Sequence, residues 1–219
     1  MTGRLLSAAA AGRAMRDELL DWFRRLRAIS QYGLEYSKDP YDLQRFRQIG
    51  DLSTEIAARL TVRPAGDVEA ALALETGPPT PKLDVRAAVF KGDRILMVRE
   101  TSDGRWALPG GWVDVGESPS SAAEREVKEE SGFDCRATKL IAIVDRDKHA
   151  HSTTLLHVYK LFFLCDLIGG EPTTSLETSA VGFFARGALP ELSFPRVLPE
   201  QVARAFRHRE HPELPTEFD

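Results

Sequence analysis

The chain has 219 residues, of which 42% are hydrophobic and 28% are charged, and it carries a formal net charge of −4. This composition is typical of a soluble globular protein that is long enough for one full core and a smaller appendage. The negative charge argues against an extended basic surface for nucleic acid, and no apolar run approaches the ~20 residues of a membrane helix.

The cysteines and the first residues bear on localisation. Cys135 and Cys165 fall in predicted strands, where they fit two buried thiols in a reducing cytoplasm, although they could also lie close enough to pair. The start, MTGRLLSAAAAG, resembles a signal peptide only faintly, because its apolar run is short and Arg13 and Arg16 follow at once. We therefore expect a cytoplasmic protein without a membrane segment and with a disordered leader over residues 1–13.

Residues 14–75 are predicted to form a small helical domain. Apolar residues from Leu19 to Ile29 recur at helical spacing and end near Gly33. A second stripe runs from Leu43 to Leu60. Because these stripes are long for so short a segment, we expect the helices to form the contact of a homodimer.

A proline-rich linker, residues 76–81, separates these helices from a predicted sheet domain over residues 82–209. Alternating apolar residues predict strands near 85–89, 95–97, 135–144, 154–167 and 179–185. A last helix is predicted over 199–207, and the tail 210–219 is predicted to be extended. Strands with a helix on either face predict an α/β fold, a three-layer α/β/α sandwich with a mixed sheet.

The segment GWVDVGESPSSAAEREVKEESGF, residues 111–133, predicts a short helix behind a glycine-rich loop. Ser118 followed by Pro119 is typical of an N-cap with proline in the first helical position. Gly132 is typical of a helix end, because glycine adopts the left-handed closing conformation without steric cost.

Glu126, Glu129 and Glu130 stand at i, i+3 and i+4 in this helix and therefore share one face. Like charges at this spacing destabilise a helix by roughly 0.2–0.5 kcal/mol per pair, and a hard divalent cation with oxygen ligands would offset that cost. Arg125 is close enough to hold one carboxylate by a forked hydrogen bond. The preceding loop, residues 108–111, can bring its backbone against a ligand and offer a carbonyl to the metal, an arrangement that fits a pyrophosphate clamped by Mg²⁺.

The order of residues here matches the Nudix box at every defined position: Gly111, five residues, Glu117, seven residues, then Arg125-Glu126-Val127-x-Glu129-Glu130-x-Gly132-Phe133. The chain therefore resembles a Nudix hydrolase. The segments WFRRLRAISQYGLEYSKDPYDLQRF and TPKLDVRAAVFKGDRILMVRE are similar to the bacterial subgroup with a helical N-terminal domain. That subgroup is described as CDP-choline or ADP-ribose pyrophosphatases. The resemblance implies a Nudix-type sandwich and Mg²⁺- or Mn²⁺-dependent hydrolysis of a nucleoside diphosphate linked to X, a nucleotide-sugar or nucleotide-alcohol, into a nucleoside monophosphate and phosphorylated X.

The resemblance also implies roles for single residues. Glu126, Glu129 and Glu130, with the carbonyl of Gly110, would bind the metal. Arg125 would orient Glu129, and Glu117 would brace the loop.

Glu177, in a loop before a strand, is the candidate for an additional acidic residue, and with Glu129 and Arg125 it forms the predicted catalytic set. A second acidic residue that relatives often have a few positions later is Ala180 here, so the general base stays unassigned. The predicted substrate-binding residues are Gly111, Arg86, Trp106, His157 and Tyr159. His157 and Tyr159 share a strand face and either project toward the ligand or pack.

Two other functions stay open. The same metal centre could process an RNA end, as a cap-like hydrolase or exonuclease, with Arg24, Arg25 and Arg27 forming a local groove. Alternatively, the domain could sense a nucleotide ligand without cleaving it. The polar loop with His149 and His151 is a weaker candidate for a zinc site than for substrate contacts.

Overall fold

The computed structural model describes residues 2–73, 75, 77–152 and 154–219, with the backbone alone for residues 2–10. The chain divides into two compact units, Met1–Thr80 and Pro81–Asp219. The helices are α1 (Thr2–Tyr36), α2 (Pro40–Thr61), α3 (Ala65–Leu72), α4 (Pro119–Ser131) and α5 (Pro199–Glu210). The strands are β1 (Lys82–Lys91), β2 (Arg94–Glu100), β3 (Trp106–Ala107), β4 (Phe133–Asp145), β5 (Val158–Gly170), β6 (Thr178–Ala185) and β7 (Glu217–Phe218). None of the helices within these described ranges is long and apolar enough to cross a membrane.

The first helix is longer at both ends than predicted. It starts at Thr2, so the disordered leader predicted for residues 1–13 is wrong for the backbone from residue 2 onward. Residues 8–11 are alanines, which have the highest helix propensity. The helix also continues through Gly33. This glycine does not end the helix but makes room for the ring of Phe46 in α2, since a Cβ there would stand 2.1 Å from that ring.

The outer face of α1 carries apolar side chains at seven-residue spacing. Met15, Trp22, Ile29 and Tyr36 are between 46% and 67% exposed. Seven residues are close to two helical turns, so these four side chains lie in one row along the helix. We call them the α1 row.

Two of the arginines proposed for an RNA groove have partners within the helical unit. Arg27 donates to the carbonyl of Leu72 at 3.0 Å and is partly buried, which gives no support to an open basic groove at that position. Arg25 pairs with Asp21 at 3.3 Å on the surface, where its side chain is 72% exposed.

The second unit is built on a mixed sheet in the order β3-β2-β1-β5-β4-β7, with β6 paired to β2. The helix α4 covers one face, where Val85 and Val127 lie in one buried cluster. The helix α5 covers the other face, where Phe206 packs edge-to-face on Phe90 with ring centroids 5.2 Å apart. The predicted three-layer α/β/α sandwich is confirmed.

The end of the chain is part of this sheet. The strand β7 pairs in parallel with β4, and the carboxylate of Glu217 binds Arg204 at 3.0 Å and His208 at 2.9 Å. Residues after 209 therefore belong to the sheet domain, because this carboxylate supplies the partner of basic side chains on α5. The predicted boundary at 209 is too early.

The sheet opens between β1 and β2, and the chain before α4 fills the opening. The two strands pair at Phe90–Ile95 and Lys91–Arg94, after which β2 continues along β6. Beyond that point the N–H groups of Ala87 and Val85 donate to the carbonyls of Pro109 and Gly111, both at 2.8 Å. The loop of the predicted site thus lies against β1 at the point where the sheet opens.

Candidate active site

The helix α4 has the predicted ends. The hydroxyl of Ser118 accepts from the N–H of Ser121 at 3.2 Å, and Pro119 is the first helical residue. Gly132 closes the helix at φ +79°, and a Cβ at this position would stand 2.3 Å from the carbonyl oxygen of Glu171. Both ends of α4 therefore have the cap and the backbone conformation that the sequence predicts, and the predicted helix is confirmed.

The three glutamates of α4 differ in burial. Glu130 is 6% exposed, Glu126 is half-buried, and Glu129 is exposed. Burial raises the pKa of Glu130 to about 8, against the opposing charge of Arg86. Burial also raises the pKa of Glu126, although Arg125 opposes the shift. The helix thus holds two carboxylates at positions where negative charge is costly.

Two glycines let the loop lie against these carboxylates. Gly110 has φ +146°, and a Cβ there would stand 1.9 Å from the carbonyl oxygen of Val85. A Cβ on Gly111 would stand 2.7 Å from Oε1 of Glu126. Neither position accepts a side chain unless the backbone or the carboxylate moves.

Arg125 connects the helix to its loop. Its Nη1 donates to Glu126 at 2.9 Å and to Glu129 at 3.0 Å, and its Nε donates to Glu117 at 3.1 Å. Its Nη2 also donates to the carbonyl of Trp112 at 3.2 Å. Hydrogen bonding to Glu117 is the largest influence on the pKa of Arg125, which lies above its ordinary value. The predicted contact of Arg125 with Glu129 is present, and one guanidinium donates hydrogen bonds to three carboxylates, while that of Asp114 lies 3.9 Å away.

These residues line a cleft of about 710 Å³. The predicted site residues that line it are Arg86, Gly110, Gly111, Arg125, Glu126, Glu129, Glu130 and Glu177. Glu117 stands behind them and acts on the cleft through Arg125.

Three predicted substrate-binding residues are not among the described residues that line this cleft. Trp106 packs edge-to-face on Phe184 with ring centroids 4.7 Å apart, at the edge of the core. His157 and Tyr159 share a face as predicted, but their rings pack on each other at 5.1 Å. The geometry gives no support to a substrate contact by these three side chains.

The sequence reasoning missed a buried ion cluster in the cleft. Asp84 accepts from Nε and Nη2 of Arg86 at 3.0 and 2.7 Å and from Lys160 at 2.6 Å. Burial acts to raise the pKa of Asp84, but the charges of Arg86 and Lys160 outweigh it and lower the pKa to about 2. One signal was available: each of these charged residues interrupts a strand that is otherwise largely apolar.

A second missed ion pair joins two more distant segments. Glu100, at the end of β2, is 1% exposed, and its Oε1 lies 2.6 Å from Nε of Arg196, which precedes α5 and lines the cleft. Burial raises the pKa of Glu100 despite this arginine. Nothing in the local sequence pattern links these two residues, which are far apart along the chain.

The loop after β4 is held by several contacts. His151 donates through Nδ1 to the carbonyl of Phe194 at 2.8 Å and bonds Gln201 through Nε2 at 2.9 Å. Burial lowers the pKa of His151 to about 4, which keeps the ring neutral. Nearby, ligand atoms of Asp145, Asp147 and His157 lie within 4.8 Å of one another. Acidic groups of this kind are common on protein surfaces without a metal.

Comparison with known proteins decides the family. Residues 80–204 match the model of the NUDIX domain, and residues 17–72 match a domain described as UDP-X-like, N-terminal oligomerisation domain. The chain belongs to the Nudix hydrolase family. The family resemblance predicted from the box is confirmed.

The relatives extend over most of the chain. A Bacillus subtilis protein named "Putative ADP-ribose pyrophosphatase YjhB" is 41% identical over 203 residues, which are 91% of this chain and 96% of the relative. The solved ADP-ribose pyrophosphatase of Streptococcus suis is 44% identical with a TM-score of 0.59, covering 64% of this chain and 100% of that one. A solved UDP-X diphosphatase is 28% identical with a TM-score of 0.60, and the match covers 93% of this chain and 99% of that one. The protein is therefore a Nudix pyrophosphohydrolase similar to these enzymes.

Proposed function

We propose that this hydrolase cleaves the pyrophosphate bond of a nucleoside diphosphate linked to X, with Mg²⁺ or Mn²⁺ held by Glu126, Glu129, Glu130 and the carbonyl of Gly110. The products are a nucleoside monophosphate and phosphorylated X. The observation that carries the proposal is the convergence of three carboxylates on one cleft, two of them with a raised pKa.

The donor set fits a hard divalent cation. It consists of oxygen atoms alone, which Mg²⁺ and Mn²⁺ prefer. Arg125 supplies one positive charge to Glu126 and Glu129, and Glu130 accepts a neutral backbone N–H, so the three carboxylates have an excess of negative charge. When bound there, the cation supplies Lewis-acid polarisation of the pyrophosphate.

The protein's own residues hold this arrangement. A hydrogen bond to Glu117 holds Arg125 in position, and Arg125 in turn donates to Glu126 and Glu129. The N–H of Gly110 donates to Glu130 and holds that carboxylate in position. In the reaction a water oxygen bonds to one phosphorus as the bridging P–O bond breaks. The other phosphate leaves with X or with the nucleoside, and the proton of the water is released to solvent.

Glu177 and two other residues that line the cleft have proposed roles in the reaction. Glu177 lines the cleft, and we assign it the role of positioning the attacking water. Arg86 and Gly111, which also line the cleft, are the proposed substrate contacts. ADP-ribose is the first substrate to test, because two of the relatives above carry that activity in their names, and CDP-choline is the second.

A substrate panel tests the reaction. Nucleoside diphosphate derivatives with adenine, cytosine and uracil are incubated with Mg²⁺ or Mn²⁺ in ¹⁸O-water, and mass spectrometry shows which product carries the label. We expect hydrolysis that EDTA abolishes and that added Mg²⁺ or Mn²⁺ restores. Absence of turnover on the whole panel, or turnover that EDTA leaves unchanged, contradicts the proposal.

The α1 row supports a further part of the proposal, a homodimer formed through the N-terminal helices. The matched N-terminal model is described as an oligomerisation domain, and four apolar side chains in one exposed row are suited to a second copy. Cys135 and Cys165 are buried and free, which supports the proposed cytoplasmic location.

A further inference from the structure

The loop that carries Glu177 is attached to the last turn of α4. The last carbonyls of a helix have no partner within the helix, and two of them accept from this loop. The carbonyl of Ser131 accepts from the N–H of Thr173 at 2.9 Å. The carbonyl of Glu130 accepts from the hydroxyl of Thr178, a residue that is 1% exposed, at 2.7 Å. This second bond joins the backbone of a proposed metal ligand to the residue next to Glu177, across 48 positions of sequence.

The hydroxyl of Thr178 also ends a series of hydrogen bonds that starts at the amide of Glu177. The N–H of Glu177 donates to Oγ of Ser175 at 3.1 Å, and that oxygen lies 3.1 Å from Oγ1 of Thr178. A hydroxyl has one proton, and Thr178 uses its proton on the carbonyl of Glu130, which can only accept. Ser175 is therefore the donor to Thr178. All three bonds run in one direction, from the amide of Glu177 to the carbonyl of Glu130, so each strengthens the next.

Glu177 is also held through its own carbonyl. That carbonyl accepts from the N–H of Thr101, in the turn after β2, at 2.9 Å and from the hydroxyl of the same residue at 3.0 Å. The pairing of β6 with β2 shifts register between Thr178 and Ala180, and such bulges bend a strand and are frequent next to active sites. The backbone of Glu177 thus has contacts at its amide and its carbonyl, while its side chain lines the cleft.

We propose that Thr178 is a positioning residue for the hydrolysis, and that its hydroxyl sets the place of Glu177 relative to the glutamates of α4. This role rests on the proposed function, in which Glu177 positions the attacking water. Loss of the hydroxyl would take a donor from a buried carbonyl and an acceptor from Ser175. Because Gly110 also holds Glu130, the loop is the part that would shift. A displaced water slows the reaction step more than it weakens substrate binding.

Two substitutions of Thr178 separate its hydroxyl from its shape. Thr178→Val keeps nearly the same shape without the hydroxyl, and we expect kcat to fall about 10- to 100-fold while KM changes by less than about 3-fold. Thr178→Ser keeps the hydroxyl and should restore kcat to within about 3-fold of wild type.

Thr216→Val is the matched control for the loss of a hydroxyl. Thr216 is partly buried and also donates to a distant backbone carbonyl at 2.7 Å, that of Leu140. It is not among the described residues that line the cleft. The variant should therefore keep the wild-type kcat. A loss of kcat as large as that of Thr178→Val would show that any buried hydroxyl has this effect, and it would overturn the proposed role.

A double-mutant cycle with Glu177→Gln distinguishes positioning from a general structural role. Glu177→Gln alone should lower kcat by about 10²-fold or more. In that background Thr178→Val should lower kcat by less than about 3-fold further, because Thr178 acts through Glu177. Losses that multiply would show that Thr178 does not act through Glu177. That result, or a wild-type kcat in Thr178→Val, overturns the proposed role.

Hydrogen exchange of the Glu177 amide gives a readout that needs neither turnover nor metal. In the metal-free protein this amide should exchange about 10-fold faster or more in Thr178→Val than in wild type, whereas Thr178→Ser and Thr216→Val should keep the wild-type rate. If Thr178→Val fails to fold, as judged by thermal denaturation, Ser175→Ala breaks the same series of bonds at a partly exposed position. Unchanged exchange in the variant that folds overturns the proposed role.

Failure of the hydrolysis itself gives a different result. A wild-type protein that hydrolyses nothing on the substrate panel overturns both the proposed function and the role of Thr178. A wild-type kcat in Glu177→Gln removes Glu177 from the reaction and overturns the role of Thr178, while metal-dependent hydrolysis at α4 stands.

Discussion

The backbone N–H of Gly110 donates to Oε2 of Glu130 at 3.0 Å, across 20 positions of sequence. This bond joins the loop beside β1 to the most buried carboxylate of α4. Because Gly110 also lies against the carbonyl of Val85, the position of Glu130 depends on β1 through one backbone contact. A small backbone shift at Gly110 therefore displaces a proposed metal ligand.

Gly110→Ala should lower kcat by about 100-fold or more, since displacements near 1 Å cost that much in an active site. A Cβ would need to occupy space 1.9 Å from a backbone oxygen, so the loop has to move. The matched control is Gly116→Ala in the same loop, where φ is also positive, at +88°, but no atom lies within 4 Å of the added Cβ. Steady-state kinetics check the difference, and similar activity of the two variants contradicts the explanation.

Glu130→Gln and Glu126→Gln should each lower kcat by about 10²–10⁴-fold at saturating Mg²⁺. Both carboxylates are proposed ligands, and an amide lacks the charge that a divalent cation needs. Because burial raises the pKa of both groups, the neutral side chain should leave the melting temperature of the metal-free protein unchanged or higher. Glu213→Gln, an exposed position outside the cleft, serves as the control. Wild-type turnover in either variant would remove that residue from the ligand set.

Asp84→Asn should destabilise the protein by about 3–5 kcal/mol at neutral pH, because Arg86 and Lys160 would lose their buried counter-charge. The folded pKa of Asp84, about 2, lies below the ordinary value of 3.8. Its stabilising contribution is therefore present above pH ~4 and is lost as the pH falls toward 2. Urea unfolding at several pH values should show the gap between wild type and variant narrowing over that window.

Asp114→Asn is the control for the pH series. Asp114 lines the same cleft, but its side chain is 78% exposed. Its replacement should change the free energy of unfolding by less than about 0.5 kcal/mol. If Asp114→Asn lowered the free energy of unfolding as much as Asp84→Asn, the charge of the cleft in general, rather than the buried ion pairs of Asp84, would set the stability.

Trp22→Glu and Ile29→Glu in the full-length chain should convert a dimer to a monomer, since each places a charge in the middle of the α1 row. Light scattering after size-exclusion chromatography gives the mass directly. Val62→Glu changes an apolar side chain that is 91% exposed and lies outside the row, and it should remain dimeric. A wild-type monomer, or dimers in all three variants, would contradict the proposed interface.

The helix of the proposed reaction centre was predictable because its determinants are local. Ser118, Pro119 and Gly132 set the ends of α4 through capping and backbone conformation, and the i, i+3, i+4 spacing alone places three glutamates on one face. The sandwich was predictable for the same reason, since alternation and helical spacing are read within a few residues.

The cleft walls were not predictable, because they depend on pairing between distant segments. The register of β1 against β5 brings Asp84 to Lys160, and Arg196 reaches Glu100 from almost a hundred residues away. Trp106 is a predicted substrate contact, but its ring packs on Phe184, which comes from a distant strand. The helical start of α1 follows from the helix propensity of its alanines, which is a local property. The pairing of β7 with β4 is a tertiary contact, which no local pattern predicts.

The proposed metal ligands come from α4 and the loop that precedes it, whereas Arg146 and Arg196, which also line the cleft, follow β4 and precede α5. A substitution at either arginine leaves the backbone contact between Gly110 and Glu130 in place. The wall of the cleft and the proposed metal centre can therefore change independently, and a variant library restricted to those two arginines would vary the wall while the proposed ligands keep their places.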